Sequence, residues 1–159
     1  MARPVRVAAS QPHDRVDDVP GALAHIVEAA SLADREGAAL ICFPECYLQG
    51  YVVDPDITPH RAISLDSQTF TNILEATADL TLALVVGFIE RHGSGVYNSA
   101  AVLHRGNVAG IYRKSRLLPG ETPVFSPGEA PEVFEANGLR FGINICYDLN
   151  FASCAAAVK

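Results

Sequence analysis

Three residues with complementary chemistry each follow an apolar, strand-like run of the sequence: Glu45, Lys114 and Cys146. A thiolate can attack an electrophilic carbon, a carboxylate can take the thiol proton and later activate water, and an ammonium can stabilise an oxyanion. Side chains at the ends of strands in one layered sheet can point into a common cleft. The types and placement of these residues therefore predict a hydrolase site with a cysteine nucleophile.

The stretch that carries the thiol is residues 138–151, GLRFGINICYDLNF. Residues 139–145 are apolar-rich and β-prone, which predicts a buried strand. Cys146 then precedes an Ala-rich, helix-prone tail, so it occupies a strand-to-helix turn. We expect its thiol to be reachable and its pKa to be lowered by Lys114 and by helix-end amides. The alternative is a small buried thiol that caps a strand.

The first part of the chain predicts a β-α-β unit. Residues 5–10 and 39–43 are strand-like, and residues 19–36 have apolar side chains at helical spacing, with Gly37 placed to end the helix. Such a unit has parallel strands and a right-handed crossover. Glu45 follows the second strand at a cleft position, and the alternative is a solvated loop carboxylate.

The middle of the chain predicts neighbouring antiparallel strands. Residues 67–79 have a helical pattern, and residues 82–89 and 97–104 are apolar strands joined by a Gly-containing turn. Residues 108–112 form the next predicted strand. Antiparallel strands added to a parallel unit predict a mixed sheet.

A long loop and a hairpin follow. Residues 117–131 contain four prolines and two glycines, which excludes a helix and predicts a shaped loop that carries Glu121. Residues 132–135 and 139–145 are predicted to pair around Asn137-Gly138, a strong hairpin signal.

Composition restricts the class of function. The 159 residues are predicted to form one domain, residues 1–159, and their formal net charge of −6 disfavours nucleic acid or an anionic membrane surface as a partner. No apolar run approaches the ~20 residues of a membrane span, and we expect a cytoplasmic protein that acts on a small molecule without a cofactor.

The four cysteines are expected to be free thiols. They stand at positions 42, 46, 146 and 154, and a cytosolic setting disfavours disulfides. The spacing of Cys42 and Cys46 leaves a redox or metal-binding protein as a third alternative, without a second close pair to support it.

Four short motifs together resemble the nitrilase superfamily, the carbon-nitrogen hydrolases. They are FPE at 43–45, YRKSRL at 112–117, FSPG at 125–128 and GINICYDLNF at 142–151. The resemblance covers nearly the whole chain. It implies an α/β fold, a nitrilase-like α-β-β-α sandwich with mixed sheets, and a homo-oligomer, commonly a dimer.

The resemblance also implies roles for individual residues. It makes Glu45 the general base, Lys114 the oxyanion-stabilising lysine and Cys146 the nucleophile of a cysteine acyl-enzyme. Glu121, which precedes FSPG, and Tyr147 would bind substrate, and no metal is implied. The Cys-Tyr-Asp sequence resembles the amidase branches more than the nitrile-cleaving one.

The sequence departs from the family pattern at three places. Arg116 stands where many members have His, Ala152-Ser153 replaces a common Pro-Glu pair, and the chain ends where members continue. We therefore expect the second half of the sandwich to be missing, and residues 1–159 alone to be poorly soluble or self-associated, with amidase activity absent or very low. The alternative function is a catalytically silent remnant that acts at most as an association module.

Overall fold

Seven strands and four α-helices are present in residues 4–158, the part of the chain that the computed structural model describes. In chain order they are β1 (Val7–Ala9), α1 (Val19–Arg35), β2 (Leu40–Cys42), α2 (Thr58–Arg61), α3 (Gln68–Ala76), β3 (Ala83–His92), β4 (Gly95–His104), β5 (Asn107–Arg113), β6 (Val133–Ala136), β7 (Leu139–Gly142) and α4 (Ala152–Ala157). A 3₁₀-helix, Cys146–Asn150, precedes α4.

Strands β1 to β5 form one mixed sheet in the order β1-β2-β3-β4-β5. The pairs β1/β2 and β2/β3 are parallel, and the pairs β3/β4 and β4/β5 are antiparallel. The predicted mixed sheet is therefore confirmed. Helix α1 connects β1 to β2; the Asp18 carboxylate caps its start by accepting a 2.9 Å hydrogen bond from the Gly21 amide. Gly37, at φ +73°, follows its end.

Apolar side chains cover both faces of this sheet. On one face, α1 and α3 pack against alternate residues of the central strands, in a cluster that includes Ile26, Ile73, Leu84, Val86 and Phe88. On the other face lies the hairpin β6-β7, in a cluster that includes Val85, Ala100, Val102, Phe134 and Ala136. The described residues thus form a helix layer, a sheet and a strand layer, in the order that an α-β-β-α sandwich requires.

Gly110 on β5 permits the close approach of the hairpin. A Cβ at this position would lie 2.4 Å from the Phe134 ring. The missing side chain therefore lets the β6 aromatic ring pack directly against the sheet.

The strand predicted over residues 139–145 is shorter in the structure. Strand β7 ends at Gly142, because its partner β6 begins at Val133, directly opposite Gly142. Ile143 and Ile145 remain buried beyond the strand end. The following helix starts late, since the 3₁₀-helix intervenes and no side chain caps α4.

Candidate active site

Glu45, Lys114 and Glu121 meet in one hydrogen-bonded cluster. The Lys114 ammonium donates to Glu45 Oε1 over 2.7 Å and to Glu121 Oε1 over 2.8 Å. Lys114 has no exposed surface, Glu121 is 1% exposed, and the Glu45 side chain is 21% exposed. The buried Lys114 ammonium thus pairs with two carboxylates, and the cluster contains two acidic groups for one basic group.

Backbone hydrogen bonds fix where each of these side chains begins. The Lys114 amide donates to the Asn98 carbonyl over 2.8 Å, which continues the β4/β5 pairing one residue beyond β5. Glu45 lies in the tight turn after β2, where the Phe43 amide donates to the Val85 carbonyl over 2.8 Å. Glu121 fastens its own loop, because its Oε2 accepts the Leu118 amide over 2.7 Å.

The cluster keeps Lys114 charged. Burial alone would lower the pKa of Lys114, but hydrogen bonds to Glu121 and Glu45 outweigh it, so the pKa is raised. The side chain therefore remains a hydrogen-bond donor and a positive charge at neutral pH.

Cys146 is exposed at the start of the 3₁₀-helix, and it lines the same cavity as Glu45. Its φ is +45°, the left-handed region that residues other than glycine rarely adopt. The expected reachability of this residue is therefore seen in the structure.

The predicted lowering of the Cys146 pKa is wrong. Partial removal of the sulfur from water and the charge of Glu45 raise the pKa, and the opposing effect of Lys114 is smaller. Sequence reasoning counted Lys114 as an uncompensated cation, whereas two carboxylates already neutralise it. The thiol is thus protonated at neutral pH and needs a base, and Glu45 is in place to serve as one.

Tyr147 lies apart from these contacts. Its ring packs edge to face against Phe151, with centroids 5.3 Å apart. It lines a surface groove of about 440 Å³ together with Arg116, Leu117 and Phe125. The guanidinium of Arg116 also lies over the Phe151 ring, 5.1 Å from its centroid.

Two residues of the cluster were not found from the sequence. The Asn98 amide donates to Glu45 Oε1 over 2.7 Å and lies 3.4 Å from Glu121 Oε1. The Tyr51 hydroxyl donates to Glu121 Oε1 over 3.0 Å. A signal for Asn98 did exist, because a buried central strand rarely contains Asn. Tyr51, in a loop rich in turn residues, gave none.

A cavity of about 260 Å³ adjoins the thiol and the carboxylate. Its walls include Glu45 and Cys146, and most of the others are apolar side chains or small residues: Phe43, Val85, Ala100, Phe141 and Ile143. The space beside the candidate nucleophile therefore suits a small, largely apolar group.

The other cysteines give little support for metal or redox chemistry. Within residues 4–158, no group of three or more His, Cys, Asp or Glu side chains is arranged to hold a metal ion. Cys46 is fully buried, and burial raises the pKa of its thiol well above the ordinary value.

None of the helices in residues 4–158 has the length and apolarity that crossing a bilayer requires.

The sequence profile of the carbon-nitrogen hydrolase family matches residues 6–159. The chain therefore belongs to this family, the nitrilase superfamily that its motifs resemble. The chain is 34% identical over 119 residues to an (R)-stereoselective amidase of Pseudomonas sp., an alignment that covers 75% of this chain and 43% of the amidase. It is 29% identical over 149 residues to the glutamine-dependent NAD(+) synthetase of Thermotoga maritima, covering 91% of this chain and 26% of the synthetase.

Solved structures agree with the fold. An amidase from Nesterenkonia sp. superposes with a TM-score of 0.83 at 28% identity, covering 96% of this chain and 59% of that one. A glutamate-to-leucine variant of that amidase, at the same TM-score and 27% identity, carries the acetamide moiety of fluoroacetamide added covalently to its active-site cysteine. The chain spans less than two thirds of each of these relatives.

Proposed function

We propose that the protein hydrolyses the carbon-nitrogen bond of a small amide through a thioester on Cys146. The observation that carries this proposal is the position of one carboxylate, Glu45, which accepts a hydrogen bond from the Lys114 ammonium and lines the same cavity as Cys146. Membership of the carbon-nitrogen hydrolase family and the covalent adduct on the cysteine of the Nesterenkonia amidase support it.

In the first half of the reaction, the acyl group of the substrate is transferred to Cys146. Glu45 takes the thiol proton as the sulfur attacks the amide carbon, so a carbon-sulfur bond forms and the carbonyl electron pair moves to oxygen. The Lys114 ammonium lies beside Glu45 and stabilises this oxyanion. The oxyanion then reforms its carbonyl, the carbon-nitrogen bond breaks, and Glu45 gives its proton to the departing nitrogen.

In the second half, water releases the acyl group. Glu45 takes a proton from water as the oxygen attacks the thioester carbon, and Lys114 again faces the oxyanion. When the carbon-sulfur bond breaks, the proton returns from Glu45 to the sulfur of Cys146. The sum is one amide and one water converted to one carboxylic acid and one amine or ammonia.

We assign Glu121 to positioning of the substrate and of Lys114. Its Oε1 accepts from Lys114 and from Tyr51, while its Oε2 holds the loop through the Leu118 amide. A carboxylate fixed in this way can accept a hydrogen bond from a substrate amide. Tyr147 lies in the neighbouring groove, so its assignment to substrate binding stays a prediction from the resemblance.

The test is release of ammonia or amine by the protein expressed from its complete reading frame. The substrates are short aliphatic amides, chiral amides and glutamine, since the matched relatives are an (R)-stereoselective amidase and a glutamine-dependent synthetase. Wild-type turnover and a thioester adduct on Cys146 trapped by mass spectrometry are expected, and Cys146→Ala should show neither. Turnover that persists in Cys146→Ala would refute the nucleophile assignment.

The competing hypothesis is a silent association module. It predicts no acyl adduct on Cys146 with any substrate of the panel.

The predicted homo-oligomer is tested separately by light scattering coupled to size-exclusion chromatography, and the predicted cytoplasmic location is tested by cell fractionation. Neither of these results depends on turnover.

A further inference from the structure

Asp148, two residues after the candidate nucleophile, is a carboxylate with no exposed surface. Each of its oxygens accepts two hydrogen bonds: Oδ1 from the Arg116 amide (2.8 Å) and the Ser115 hydroxyl (3.1 Å), and Oδ2 from the Tyr112 hydroxyl (2.8 Å) and the Ile145 amide (2.9 Å). All of these donors are neutral, and no ion pair found among residues 4–158 includes Asp148. A buried carboxylate without a cation depends on every one of these bonds.

The donors belong to two segments that carry the reacting groups. Tyr112, Ser115 and Arg116 flank Lys114 in sequence, and Ile145 directly precedes Cys146. A single carboxylate therefore connects the nucleophile turn to the segment that holds the ammonium. The contact between the two segments is fixed at both oxygens.

The turn around Cys146 is also closed on itself. The Ile145 amide donates to Asp148 Oδ2, and the Asp148 amide donates back to the Ile145 carbonyl over 3.0 Å. Between these two residues, Cys146 adopts its left-handed φ of +45°. A residue other than glycine keeps such a conformation only where its surroundings impose it.

We infer that Asp148 is a positioning residue, which holds the strained Cys146 turn against the Lys114 segment and so keeps the thiol in the cavity that Glu45 also lines. It does not contact the reacting atoms. Its effect on turnover rests on the proposed function, but its effect on the thiol does not.

The near-isosteric substitution Asp148→Asn tests this inference. An amide offers one acceptor oxygen, and its NH2 group would face either the Ile145 amide or the Arg116 amide. At least one backbone donor then loses its acceptor, and the turn is released from one side. Glu90→Gln is the matched control, because Glu90 is also fully buried and its carboxylate bonds to Arg113 and Ser99 rather than to the nucleophile turn.

The primary measurement is the rate of iodoacetamide labelling of Cys146 against pH, resolved by peptide mass spectrometry. The charged groups that act on this thiol are Glu45, Lys114 and Glu121. If the turn relaxes away from Glu45, the labelling curve should move to lower pH. A shift of half a pH unit would give about threefold faster labelling at pH 7. The buried thiols Cys46 and Cys154 report on any general opening of the fold.

The expected result is a shifted Cys146 curve in Asp148→Asn, unchanged labelling of Cys46 and Cys154, and kcat lowered about tenfold or more with little change in KM. Glu90→Gln should lower the melting temperature and leave the Cys146 curve in place. If folded Asp148→Asn gave the same curve of Cys146 labelling against pH as the wild-type protein, the positioning role would be refuted, whatever the melting temperature of the variant.

If Asp148→Asn does not fold, Tyr112→Phe decides the question. It removes one donor from Oδ2, the oxygen that holds the Ile145 amide. A smaller shift in the same direction supports the inference, and an unchanged curve refutes it. A wild-type protein without amidase activity would overturn the proposed function alone, because the labelling curves require no turnover.

Discussion

Lys114 and Glu45 meet at a single oxygen: the ammonium donates to Glu45 Oε1 over 2.7 Å, and the Asn98 amide donates to the same atom over 2.7 Å. Both donors hold one side of the carboxylate. The same carboxylate lines the cavity that Cys146 also lines, and its charge raises the pKa of that thiol. The anchoring of Glu45 and its effect on Cys146 can each be tested by substitution.

Glu45→Gln should change labelling and turnover in opposite directions. The charge of Glu45 raises the pKa of the Cys146 thiol, so its removal moves that pKa down and increases the thiolate fraction at neutral pH. We expect iodoacetamide to label Cys146 about three- to tenfold faster at pH 7, where each pKa unit is a factor of ten. Amide hydrolysis should fall by about 10²–10⁴-fold, because the general base is lost.

Aspartate at the same position provides the control for this prediction. Glu45→Asp keeps the charge, so its labelling curve should stay near that of the wild type even if turnover falls. Slower labelling in Glu45→Gln would show that the carboxylate promotes thiolate formation, contrary to the pKa direction given above.

Lys114→Met should destabilise the fold as well as abolish activity. The substitution leaves Glu45 and Glu121 facing each other without a cation, and breaking a buried pair costs about 3–5 kcal/mol of the free energy of unfolding. Adding Glu121→Gln removes one uncompensated charge, so the double variant should recover part of that loss in urea denaturation. Turnover should remain at least about 10²-fold down, because the oxyanion donor is absent from both variants. Additive losses would show that the two residues are not coupled.

Asn98→Leu tests the contribution of the Asn98 amide, the uncharged donor that holds Glu45 Oε1. Leucine has a similar size and removes an Asn98 Oδ1 that is buried without a hydrogen-bond partner, but it also removes the bond to Glu45, so we expect the free energy of unfolding to fall by no more than about 1.5–3 kcal/mol. Turnover should fall about tenfold, since a bond to a charged group contributes about 1.5–3 kcal/mol and Lys114 still holds the same oxygen. Ser99→Ala, on the same strand but bonded to Glu90, is the matched control and should leave turnover near the wild-type value.

The sequence predicted the elements better than the contacts among them. Helix α1 and the hairpin β3-β4 follow from local periodicity and turn residues, and both lie where predicted. The end of β7 depends on where β6 begins, so the pattern of residues 139–145 alone could not locate it. The raised pKa of Cys146 depends on partial burial of its sulfur and on the charge of Glu45, which lies far away in the chain, and spacing along the sequence reveals neither.

Gly87 on β3 offers a way to move Glu45 without touching its side chain. A Cβ at Gly87 would lie 2.1 Å from the Pro44 carbonyl oxygen and 2.8 Å from the Cys46 amide nitrogen, so an added methyl group must push the backbone on both sides of Glu45. We expect Gly87→Ala to cost about 1–3 kcal/mol of stability, the range for overpacked sites. A displacement near 1 Å should lower turnover by about 10²-fold, with Cys146 labelling shifted to lower pH as in Glu45→Gln. Gly120→Ala is the matched control, because a Cβ there has no atom within 4 Å and the residue immediately precedes Glu121. Wild-type turnover in folded Gly87→Ala would show that the placement of Glu45 tolerates movement of its turn, and would weaken its assignment as the base.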